Sequence, residues 1–181
     1  MKNKGFTLIE ILIAVLIIGI LAAIAVPQYQ KGVEKSKALQ GLTLLKSVIE
    51  AINVYYLANG VYPSSFDKLD ISIPTSFNGT QRFIMNTGFA LSNKDWSLDL
   101  ENGSGYVTLF MGRISGKYKG AGFMFSFQSP NNTHSKDILC FERKSYAYYI
   151  FDKKLSEGSY CKKNIQAKFH SENLYARKYS L

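Results

Sequence analysis

Three groups of residues in this 181-residue chain have types and spacings that could do chemistry: a lone carboxylate in an apolar run, two cysteines and two histidines. From Phe6 to Val26 there are 21 residues with one charge among them, Glu10. A carboxylate in lipid costs about 3 kcal/mol on insertion scales. A plain membrane anchor has no use for it, so Glu10 points to a helix that leaves the bilayer and meets a partner carrying positive charge. Cys140 and Cys161 enclose 20 residues. Two sulfurs without nearby histidines make a poor zinc site. If the N-terminal segment crosses a membrane, the rest of the chain lies in an oxidising compartment and the pair reads as a disulfide. Such a loop is worth about 3 kcal/mol in the chain-entropy account; two free buried thiols are the alternative. His134 and His170 have no metal-ligand spacing and read as surface residues. No phosphate-binding glycine loop and no nucleophile elbow occurs. No catalytic, metal or cofactor site is assigned, and an enzyme is not expected.

Composition sets the frame for these groups. The length allows one domain plus a membrane segment. Aromatics at 14% within a hydrophobic share of 46% are enough for the part after residue 60 to fold around a core. The formal charge of +9 could draw nucleic acid or anionic lipid, although basic patches of that size also occur on merely solvated faces.

The apolar run itself allows three readings. Lys2 and Lys4 precede it, which keeps that end cytoplasmic and sends the remainder outward. A secretory signal peptide is one reading, since Ala23-Ile24-Ala25 fits a small-x-small cleavage pattern. Glu10 and the helical pattern continuing past Val26 oppose it. A permanent anchor is the second, and the length permits it.

The third reading rests on a resemblance. Lys4-Gly5-Phe6-Thr7-Leu8-Ile9-Glu10, continuing through Ala22-Ala23-Ile24-Ala25-Val26-Pro27 to Tyr29, resembles the class III signal of type IV pilins and type II secretion pseudopilins. The resemblance implies a leader of residues 1–5, cut by a prepilin peptidase between Gly5 and Phe6, and methylation of the new Phe6 amine. It also implies an assembly role for Glu10, paired with the Phe6 amine of a neighbouring copy. Burial strengthens that pair and desolvation offsets much of the gain, so it sets register more than adhesion. The adhesive part falls to packing of Leu8, Ile9, Ile11, Leu12, Val15, Leu16 and Ile18. Gly19 and Pro27 weaken the helix. In related filaments the stretch between such positions can lose helicity, giving extensibility; a harmless bend is the alternative.

Past Pro27 the pattern turns amphipathic. Leu42, Leu45, Ile49, Ile52 and Tyr56 fall on one helical face. One helix is therefore expected over residues 6–58, with 6–26 as transmembrane segment and filament core and 27–58 amphipathic. At about 80 Å it is too long for one domain of this size to bury, so its first half needs lipid or other subunits. Asn59-Gly60 supplies a left-handed cap and Pro63 blocks resumption.

Residues 59–181 are expected to form the globular part. Positions 61–79 read as a connecting loop, the αβ-loop of the resembled family, with a short helical turn near Phe66 to Leu69. Alternation marks strands at Trp96/Leu98/Leu100, Val107/Leu109/Met111 and Phe123/Phe125/Phe127, with shorter candidates at Ile138–Phe141 and Tyr146–Phe151. The fold class is α+β: a long N-terminal helix packed on a four- to five-stranded antiparallel sheet. The phenylalanine stripe reads as sheet core, and Tyr146, Tyr148 and Tyr149 as an outer, subunit-facing surface. The cysteines bracket a segment resembling the D-region of pilins. The sequence leaves open whether the 20-residue tail after Cys161 adds a strand, caps the sheet or stays mobile. Asp152 and Glu157 are the only acidic candidates for a calcium site there, and the surrounding lysines oppose one. The sequons at Asn78, Asn102 and Asn131 carry little weight in a bacterial chain.

The resemblance implies a structural subunit of a type IV pilus, held in the inner membrane with its N-terminus cytoplasmic and then assembled into an extracellular filament. Its partners would be other copies of itself, the prepilin peptidase, and an assembly platform with its ATPase. Adhesion, motility and DNA uptake are the family's usual outputs. A type II secretion pseudopilin is one alternative. A minor pilin binding nucleic acid through a basic C-terminal face, with Lys144, Lys153, Lys154, Lys162, Lys163, Lys168, Arg177 and Lys178, is another.

Overall fold

The computed structural model describes residues 7–83, 88–103, 106–127, 137–143, 158–172 and 176–181. The chain divides into two compact units, Met1–Lys37 and Ala38–Leu181. One helix, α1 (Leu8–Asn59), begins in the first and ends in the second.

In the first unit α1 is helical through both Gly19 and Pro27, and every residue from 7 to 32 is exposed. In the second unit one face of α1 enters the core through Ala38, Gly41, Leu45, Val48, Ile49 and Ile52. Leu45, Ile49 and Ile52 are shared with the expected stripe, but the buried face is turned slightly from it. Leu42 is half-buried and Tyr56 is 40% exposed, stacking on Tyr62 at 4.4 Å. The indole of Trp96 accounts for the turn. A Cβ on residue 41 would lie 3.0 Å from its Cζ2, so the ring needs a helix position without a side chain. Gly41 is that position. The helix ends as its sequence dictates. Gly60 takes φ +70° and donates to the Tyr56 carbonyl at 2.8 Å, while the Asn59 side chain donates to Tyr55 O at 2.8 Å.

After a single turn of 3-10 helix at Phe66–Lys68 come β1 (Phe89–Ser92), β2 (Trp96–Gly103), β3 (Tyr106–Arg113), β4 (Ala121–Phe127) and β5 (Leu139–Arg143). The short α2 (Cys161–Ile165) follows, then β6 (Lys168–Glu172) and β7 (Ala176–Ser180). The strands form one sheet in the order β1-β2-β3-β4-β5-β7-β6, with every neighbouring pair antiparallel. The register sets Leu91, Leu98, Met111, Phe123, Cys140, Tyr179 and Phe169 in a row across it. From that face Trp96, Leu98, Leu100, Val107, Leu109, Met111, Phe123 and Phe127 share one core with the buried face of α1. The phenylalanine stripe is thus sheet core, with Phe125 at its partly buried margin.

The α+β class holds, but the expectation of four or five strands is too low. Among the described residues the sheet has seven. Strands β2 to β5 are those read from alternation; the additions are β1 and the hairpin β6–β7, made from the C-terminal tail. That hairpin offers only Phe169 and Tyr179 as large apolar residues in a polar background, so period-two alternation does not reveal it. The expected strand at Tyr146–Phe151, with Tyr146, Tyr148 and Tyr149, lies outside the described residues.

The opposite face carries a second, smaller core of Phe83, Phe110, Ile114 and Phe141. Phe83 lies directly over Gly112 and meets Phe141 edge-on at 5.2 Å. Its N–H donates to Asp99 Oδ2 at 2.7 Å, and the single Ser97 hydroxyl hydrogen is shared between Gln81 O, at 2.8 Å, and Asp99 Oδ1. These bonds account for polar residues buried on a strand whose other face is apolar.

Replacing Gly41 by leucine forces a side chain into the Trp96 indole. We expect a loss of about 1–3 kcal/mol, the usual range for overpacking, seen as a lower midpoint when unfolding of the full chain in detergent is followed by Trp96 fluorescence.

Candidate functional site

The unusual surface of this protein is the first part of α1. From Leu8 to Val26 every leucine, isoleucine and valine is between 51% and 77% exposed. They occupy all sides of the helix rather than one stripe, which is the pattern of a segment enclosed by lipid or by other helices. It is long and apolar enough to cross a membrane.

Glu10 opens this segment, and its surroundings supply a role that reading it as a lone charge missed. Thr7 N–H and Thr7 Oγ–H both donate to Glu10 Oε2 at 2.7 Å, and Glu10 N–H donates back to Thr7 Oγ at 3.3 Å. This is the reciprocal capping box of a Thr-x-x-Glu sequence. It satisfies two N–H groups that the first turn of any helix leaves without an intrahelical partner. The carboxylate therefore has a use inside its own subunit. The signal was present in the sequence as Thr7-Leu8-Ile9-Glu10.

Gly5 and Phe6 lie outside the described residues, as do His134, Asp152, Glu157, Lys144, Lys153, Lys154 and the Asn131 sequon. Gly19 and Pro27 sit within continuous helix. His170 is exposed on β6.

A second constellation holds the C-terminal region. Cys140 on β5 and Cys161 at the start of α2 are disulfide-bonded, with Cα atoms 5.8 Å apart. Two residues beyond Cys140, on the same face of β5, is Glu142, which is fully buried. Its Oε1 accepts from the N–H groups of Tyr160 at 2.6 Å and Cys161 at 2.7 Å. Its Oε2 accepts from Gly158 N–H at 2.8 Å and Tyr179 Oη–H at 3.2 Å. Tyr160 stands at the N-cap of α2 without a side-chain cap bond there, so a carboxylate from another element supplies the acceptor. Sequence reasoning did not single out Glu142; nothing in Leu-Cys-Phe-Glu-Arg marks its glutamate as buried. Burial, and then the nearby Glu142 charge, push the Tyr179 phenol above the usual tyrosine range.

The fold and this N-terminal surface define a class: an α+β protein whose leading helix is apolar all round and begins at a capped acid. Comparison with known proteins bears on that class directly. Residues 1–26 match the family described as the prokaryotic N-terminal methylation motif. A fimbrial protein of Neisseria meningitidis serogroup A is 29% identical over 118 residues, covering 65% of this chain and 62% of its own length. Fimbrial protein EcpC of Eikenella corrodens is 43% identical over 77 residues, 42% of this chain and 49% of its own. Type II secretion system core protein G of Pseudomonas aeruginosa is 39% identical over 69 residues, 38% of this chain and 49% of its own. The chain thus spans between about half and under two thirds of these relatives. No solved structure is significantly similar. The resemblance to type IV pilins and type II secretion pseudopilins is borne out by these matches.

Two outcomes follow from the geometry. Glu10→Gln keeps a capping-box residue and Glu10→Val does not, so hydrogen exchange in micelles should show the first-turn amides protected in the former and faster in the latter by about 1 kcal/mol. For Tyr179 the folded state favours the neutral phenol, so its contribution is complete below the ordinary tyrosine value near 10 and declines as pH rises through the folded value. Lys178, lowered by burial, acts in the opposite direction. Denaturant titrations from pH 9 to 12 should therefore show wild type losing its stability margin over Tyr179→Phe.

Proposed function

We propose that this chain is a structural subunit of a type IV pilus, built into an extracellular filament through the apolar half of α1. The observation that carries the reading is the exposure of leucine, isoleucine and valine all around residues 8–26, beginning at an acid already hydrogen-bonded in its own first turn. Such a surface needs lipid before assembly and neighbouring copies of the same helix afterwards. Residues 1–5 act as leader, a prepilin peptidase cuts between Gly5 and Phe6, and the Phe6 amine is methylated; the match of residues 1–26 supports this. The subunit waits in the inner membrane, N-terminus cytoplasmic, until a platform and ATPase extract it. In the filament Glu10 meets the Phe6 amine of a neighbour, and the segment from Gly19 to Pro27 can give under tension. The role is mechanical, without catalysis, metal or cofactor.

A second reading, a subunit of a type II secretion pseudopilus, is supported by the likeness to core protein G. Antibody-labelled electron microscopy of cell-surface filaments separates the two. The nucleic-acid alternative has less in its favour: of its basic residues, Arg177 is buried and Lys178 half-buried.

Mass spectrometry of the chain from sheared surface filaments should give an N-terminus at methylated Phe6; one at Met1 or after Ala25 overturns the reading. Glu10→Gln retains the capping box but removes the charge. It should insert in the membrane at wild-type level and lower filament yield at least tenfold. Wild-type yield from that variant would remove Glu10 from assembly.

A further inference from the structure

We infer that Glu142 is a positioning residue for oxidation of the Cys140–Cys161 pair: it seats Cys161 beside Cys140 before the sulfurs join. The carboxylate bonds to the backbone N–H of Cys161 itself, at 2.7 Å, and to that of Tyr160 at 2.6 Å. It stands two residues from Cys140 on the same face of β5. The residue bearing the second sulfur is thus tied by its own backbone to the immediate neighbourhood of the first. None of these bonds passes through sulfur. They are available to the reduced chain, and charge-assisted bonds of this length are the strong ones.

Closing the loop between residues 140 and 161 costs chain entropy, and the final step of disulfide formation is governed by how concentrated one thiol is around the other. A carboxylate holding α2 in place offsets that cost in advance. Tyr179 belongs to the same device. It pairs directly with Cys140 across β5 and β7, and its hydroxyl donates to Glu142 Oε2 at 3.2 Å. The C-terminal hairpin therefore completes the seat, and oxidation follows docking of β7 rather than preceding it.

The chemistry is ordinary thiol–disulfide exchange with an external disulfide as oxidant. One cysteine thiolate attacks glutathione disulfide and releases a glutathione thiolate. The second cysteine attacks the mixed disulfide, forming the Cys140–Cys161 bond and displacing the second glutathione. The two protons from the cysteines end on the two glutathiones; two thiols are oxidised and one disulfide is reduced.

The test uses the full chain in detergent micelles, reduced and then equilibrated in glutathione redox buffers, with the disulfide fraction read by alkylation and mass spectrometry. Glu142→Gln should lower the effective concentration of the pair about 30-fold, and Tyr179→Phe, which loses one bond of the set, about threefold. In the reduced wild type the amides of Gly158, Tyr160 and Cys161 should remain protected from hydrogen exchange. Wild-type effective concentrations in both variants overturn the assignment, as does exchange of those amides at unfolded-chain rates once the disulfide alone is reduced. If Glu142→Gln does not fold, Tyr179→Phe and the reduced wild type decide the matter.

Discussion

A helix that presents leucine, isoleucine and valine on every side cannot settle against one sheet, because a sheet covers one face and leaves the others in water. Residues 8–26 of α1 are of this kind, and about 25 cal/mol for each square ångström left uncovered weighs against the isolated subunit in water. The same helix beyond residue 38 buries one face, while its exposed side mixes Thr43, Lys46, Ser47 and Glu50 with Leu39, Val54 and Leu57. A single element therefore carries two solvation requirements in succession. The first asks for lipid or identical neighbours, the second for a globular partner within the chain.

Glu10 acquires a double meaning in this setting. As an acid in an apolar run it looks like a charge awaiting a partner in another subunit. Its bonds to Thr7 give it employment at home, satisfying donors that the first turn of a helix leaves without an intrahelical partner. The proposed contact with a neighbouring copy is compatible with this bonding, since both hydrogen bonds fall on one oxygen, Oε2. The two separate cleanly only when the charge is removed and the capping group retained.

At the other end of the chain a buried carboxylate does related work. Glu142 gathers backbone N–H groups from the start of α2, while the disulfide two residues away fixes the same place covalently. Both devices act on a segment that also places Tyr160, Cys161 and Ala167 in the main core.

The sequence alone determined the long helix, its C-terminal cap at Asn59-Gly60, the turn at Phe66 and the strands β2 to β5. These follow from local rules: period in the apolar pattern, a glycine that accepts positive φ, and alternation on half-buried strands. It also contained the Thr7–Glu10 box, legible as four letters though passed over in favour of the charge. Only the tertiary structure decided the rest. The buried face of α1 turned toward Gly41 because a distant indole needs that space. The polar hairpin β6–β7 joined the sheet because β5 offered an open edge, which no pattern within the hairpin announces. Glu142 became the acceptor for α2 because the sheet register sets β5 beside the start of that helix. Contacts between residues far apart in the chain depend on shape and register, and those exist only once the whole has folded.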